Sequence, residues 1–154
     1  MLRIIFLLSA AILFGCMGGE DGSDVRELRP GLYSTSDNFA LDGAFVEMKN
    51  QVHFNAASHY TAQTFLADVL IMEARGKWRH SAGQIVYEEI STRVVNDAGQ
   101  MGPWQAQKNG VDEVRNVTES SFQFYADNKQ IDPALLARTQ GLEAGWKTYN
   151  RLGD

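Results

Sequence analysis

Disulfides cannot hold this chain together, because its 154 residues contain one cysteine, Cys16. Stability has to come from an apolar core, and a hydrophobic fraction of 44% permits one. Basic residues are also scarce: 14 Lys and Arg against 19 Asp and Glu give a formal charge of -5, with no basic block able to track a phosphate backbone. Nucleic acid is therefore not an expected partner, and neither is purely electrostatic attachment to anionic lipid. The three histidines, His53, His59 and His80, form no compact zinc-binding pattern, so no metal is expected. His53 and His59 would share one strand face but lie about 20 Å apart. No serine sits in G-x-S-x-G, and no glycine stretch has the G-x-x-x-x-G-K-[ST] phosphate spacing. Glu88 and Glu89 are adjacent, so a strand would turn them to opposite faces and deny them a shared role as a carboxylate pair. These absences point away from an enzyme and from any cofactor.

Long apolar runs are missing as well. The one candidate, Ile4 to Phe14 after Arg3, has about half of the ~20 residues a bilayer-crossing helix needs. A short apolar run behind a positive residue is instead the pattern of an export signal. It ends in Leu13, Phe14, Gly15 and Cys16, which resemble the lipobox of bacterial lipoproteins, with Phe14 bulkier than that family's usual residue at this place. The resemblance implies cleavage after Gly15 and a diacylglyceryl group on the Cys16 thiol. Attachment to the membrane would then run through acyl chains, each buried methylene contributing about 0.8 kcal/mol. Met17 stands where an Asp would favour inner-membrane retention in that family, so the resemblance implies the outer membrane. The expected division is a signal peptide over 1–15, a lipid-anchored tether over 16–30 and one domain over 31–154. Removing 1–15 leaves 139 residues and a charge of -6.

What the remaining chain does have is a period of two. Val52, Phe54 and Ala56 alternate with His53 and Asn55, and Phe122 and Phe124 with Gln123 and Tyr125, as in strands with one packed and one wet face. Further strands are expected over 31–34, 44–48, 59–65, 69–74, 77–80, 84–95, 111–117 and 146–151. Turns are expected at Arg75-Gly76, Ala82-Gly83, Asn96-Asp97-Ala98-Gly99 and Asn109-Gly110. Short, regularly spaced strands predict a mainly β domain: a single antiparallel barrel or sandwich of about eight strands. Asp132-Pro133 followed by ALLARTQ and Gly141 predicts one short helix at 133–140.

The layout resembles the small lipocalin-like domains of bacterial lipoproteins. Gly31-Leu32-Tyr33 opens the first strand where lipocalins have G-x-W, and Tyr149-Asn150-Arg151 is similar to their aromatic-x-Arg close. The resemblance implies that Arg151 and Tyr33 close the barrel floor, with Trp146 as a neighbouring alternative aromatic. Ser81-Ala82-Gly83-Gln84-Ile85-Val86-Tyr87 also approximates the S-G-x-x-Y loop of lipid-anchored lysozyme inhibitors. Two binding readings follow, and both remain open: a small apolar ligand held inside the barrel, or a protein-interaction or inhibitor module using exposed loops of a filled one. Candidate ligand or partner contacts are Trp104, Trp78 and Tyr87, with Trp104 on the Met101–Trp104 loop foremost.

Overall fold

The computed structural model describes residues 27–96, 98–127 and 136–153. The strands are β1 (Gly31–Leu41), β2 (Ala44–Phe54), β3 (His59–Leu66), β4 (Val69–Ser81) and β5 (Gln84–Val94), then β6 (Gln105–Ala106), β7 (Gly110–Arg115), β8 (Ser121–Ala126), β9 (Thr139–Gln140) and β10 (Gly145–Gly153). All pairings are antiparallel, and β10 pairs with β1, so β1, β2, β3, β4, β5, β7, β8 and β10 close an eight-stranded barrel. Closure removes the free edges that would otherwise invite intermolecular pairing. The short β6 extends the line of β7 along β5, and β9 pairs with the end of β1.

The described residues enter β1 from one end of the barrel, the floor, where the β2–β3, β4–β5 and β7–β8 turns also lie. The opposite end, the mouth, carries the β1–β2 and β3–β4 tips. Asp42-Gly43, Ala67-Asp68 and Ala82-Gly83 all have positive φ, as tight hairpin turns require. At the mouth Phe45 and Val69 are largely exposed, at 78% and 61%.

Several strands run further than their apolar pattern. β1 continues to Leu41, and the two segments expected over 44–48 and 52–56 are one strand. Arg75-Gly76, expected as a turn, lies inside β4 at a register shift. Glycine is needed there: a Cβ on Gly76 would lie 2.6 Å from the Glu88 carbonyl oxygen and 3.0 Å from the Tyr60 ring. Asn116, expected in a strand, has φ 51° and belongs to the β7–β8 turn. Of the helix expected at 133–140, residues 133–135 lie outside the described residues; Thr139 and Gln140 are strand β9, because they pair with Leu41 and Ala40.

The last part of the expected tether belongs to the domain. Leu28 is 4% exposed and joins the core. Its N–H donates to His80 Nδ1 at 3.1 Å, the Arg29 carbonyl accepts from the Tyr33 hydroxyl at 2.8 Å, and Pro30's carbonyl accepts from Arg151 Nη2 at 2.9 Å. Residues 27–30 thus strap across the floor. Residues 1–26, with the expected signal peptide, Cys16 and Met17, lie outside the described residues.

Candidate functional site

Two surfaces could bind something, the inside of the barrel and its outer wall. Inside, alternate residues of each strand meet. Toward the floor they are aromatic: Tyr33 stands edge-on to Phe122 with ring centroids 5.1 Å apart, Phe54 lies 4.6 Å from Trp78, and Tyr60 is edge-on to Tyr87 at 4.9 Å. Tyr149 continues the column between Phe122 at 5.2 Å and Phe124 at 5.0 Å. Rings at these separations are in contact with one another across the floor half of the barrel.

Toward the mouth the inward positions become polar. Thr64 donates to Asn50 at 2.8 Å, Gln107 to Thr92 at 2.9 Å, and Lys147 Nζ to Asp37 at 2.7 Å. Thr35, Thr64 and Thr92 are all buried. Phe39, Met72 and Ile90 supply the apolar remainder.

Between the two zones sits Asp112, in register with the fully buried Ile85. Tyr87 hydrogen-bonds to its carboxylate. Burial, then the charge on Asp112, raises the ionisation of Tyr60, Tyr87 and Tyr149 far above the ordinary phenol range. These hydroxyls therefore stay protonated, which disqualifies them as general bases near neutrality.

Trp78 and Tyr87 are thus packed inside, with Trp78 Nε1 donating to the Asn55 carbonyl at 3.2 Å, and neither offers its face to an outside partner. Tyr33, fully buried, is the register partner of Arg151. Trp146 lies elsewhere: Arg115 covers its ring at 3.9 Å, and Tyr125 meets it edge-on at 5.5 Å. The three histidines occupy separate places, His53 on the outer wall, His59 at the start of β3 with its ring bonded to the Ala57 carbonyl, and His80 under the floor strap.

The outer wall is organised by register. One cross-strand row runs Leu32, His53, Thr61, Arg75, Ser91 from β1 to β5. The next row runs Ser34, Gln51, Gln63, Glu73, Arg93. Between them lies a groove of about 210 Å³ lined by Leu32, Gln51, His53, Thr61 and Gln63. Trp104 folds back onto the far end of both rows, its ring 4.2 Å from the Arg75 guanidinium and 4.7 Å from that of Arg93. The Glu73 carboxylate binds Gln63 Nε2 at 3.0 Å and Arg93 Nε at 2.6 Å, and these bonds hold its ionisation below the usual carboxylate range.

Neither row was legible beforehand, because no single-strand pattern reveals which residues face each other across four interfaces. Trp104 was found by its loop, and its two arginine partners only by the fold. Compared with known proteins, the sequence matches no family model and no curated relative.

Proposed function

We propose that this chain is a lipid-anchored envelope protein that acts by binding, without catalysis, and does so through the outside of its barrel. The observation that carries this reading is the aromatic column from Tyr33 to Tyr149. An apolar ligand would have to displace rings already in contact, and above them it would meet the Asp37–Lys147 pair and three buried threonines. The outer wall, by contrast, presents ordered polar side chains without any such displacement.

The anchor reading sets a reach. If acyl chains sit on Cys16, the eleven residues from there to Glu27 span at most about 40 Å. They join the barrel at its floor, the end opposite Phe45 and Val69. Met17 in place of Asp after Cys16 supports outer-membrane placement in a cell that has an outer membrane.

Two measurements test these claims separately. Mass spectrometry of the mature protein should find a diacylated Cys16 as first residue, and an unmodified thiol or a different start would remove the anchor. Titration with a fluorescent fatty-acid analogue should give no saturable one-to-one binding. Stoichiometric uptake with quenching of Trp78 would instead support the apolar-ligand reading.

A further inference from the structure

Resting on the reading that the outer wall is the working surface, we propose that the groove across β1–β3 binds a short acidic oligosaccharide, with Arg75 on the adjoining β4 taking a carboxylate of the chain. The lining is chemically specific. Gln51, His53 and Thr61 offer neutral donors and acceptors, and Gln63, whose Nε2 already donates to Glu73, adds its carbonyl oxygen and second N–H, together the complement of a polyhydroxylated ligand, while Leu32 provides an apolar contact for a ring face.

Charge then enters at one end only. Arg75 is in register with Thr61, beside the groove. Its neighbour Arg93 is neutralised by Glu73 at 2.5 Å. Arg75 itself has no carboxylate within ion-pair distance among the described residues. Its guanidinium lies 4.2 Å from the centre of the Trp104 ring, which restrains it, and the exposed side chain keeps donors available for a carboxylate. A guanidinium already held in place loses less side-chain entropy on binding than a free one.

Length selects an oligomer. At about 4.8 Å per strand, Leu32 and Arg75 are about 14 Å apart across three interfaces. The groove alone, about 210 Å³, is below the ~300–1,000 Å³ of drug-sized sites and suits a single sugar ring. A ligand that fills the groove and reaches Arg75 therefore extends over more than one ring. An extended peptide has less to gain here, since closed-barrel strands leave no backbone edge for it to pair with.

The test is a nuclear magnetic resonance titration of the full mature chain with a galacturonate trimer. Neutral maltotriose, oligoglutamate and inorganic phosphate are run alongside. The proposal expects shifts confined to Leu32, Gln51, His53, Thr61, Gln63, Arg75 and the Trp104 indole, falling with added salt. Arg75→Ala should weaken binding about tenfold or more, the usual size of a lost charge-assisted contact, while Arg75→Lys recovers part of it. Equal binding of maltotriose, of oligoglutamate or of phosphate would overturn the ligand class while leaving the wall as the surface. Shifts at Phe39, Thr64, Met72 and Lys147 would overturn the wall itself. Unchanged affinity in Arg75→Ala, a variant whose exposed site leaves the core untouched, would overturn the role of Arg75.

Discussion

His80 is the residue whose chemistry is most tightly bound to one contact. Its Nδ1 accepts the Leu28 N–H, so the ring is neutral in that arrangement, and a proton on Nδ1 would set donor against donor. Burial pulls its ionisation below the ordinary 6.5, with the Glu27 charge opposing. A base with a depressed folded pKa contributes stability that is complete above the unfolded value and disappears as pH falls through the folded one. Amide-exchange protection at Leu28 should therefore drop as pH falls from about 6.5, and His80→Asn, whose side-chain oxygen can replace Nδ1 as acceptor, should flatten that dependence. A protection factor independent of pH in the native protein would remove His80 from this role. At Arg151, loss of the bond to Pro30 should lower stability by about 0.5–1.5 kcal/mol in Arg151→Ala, read by urea unfolding. An unchanged midpoint would show that floor closure does not depend on the arginine.

Among the elements, β4 departs furthest from its sequence pattern. Gly76 beside a charged residue reads as a turn, yet the chain passes straight through, with Glu88 and Tyr60 packed against the absent side chain. Gly76→Ala should cost about 1–3 kcal/mol in thermal or urea unfolding, as overpacking does; a neutral result would mean that β4 and β5 can separate at the bulge without penalty. The same strand explains what could be read and what could not. Wherever strands line the aromatic floor, as at Val52–Phe54 and Phe122–Phe124, the apolar alternation is complete and the strand is legible. Where they line the polar half, Thr35, Asp37 and Asn50 occupy inward positions, the alternation disappears, and the second half of β1 and the middle of β2 pass for loops. The signal fails there because the inside of the barrel is itself polar.

For the whole molecule, a mainly β, antiparallel domain of about eight strands was legible, since it depends on repeated short apolar alternation and turn chemistry; the choice of barrel over sandwich comes only with the pairing of β10 and β1. The candidate site was not, since it is assembled from five strands whose register no local pattern encodes. Leu28 was hidden in a segment that composition assigns to solvent, and only the floor strap shows why it is apolar. The aromatic column is the feature on which the account depends. Truncating its centre in Trp78→Ala should lower stability by about 3–5 kcal/mol in urea unfolding, the usual cost of emptying a packed aromatic site. A much smaller loss would mean a loosely filled floor.

The most direct measurement of that filling is xenon binding, because dry apolar cavities take up xenon and packed ones do not. Under xenon pressure the native chain should show no saturable site, while Trp78→Ala should gain one beside Phe54. A saturable site in the native barrel among Tyr33, Phe54 and Phe122 would contradict the account and return the inside of the barrel to consideration as a ligand chamber.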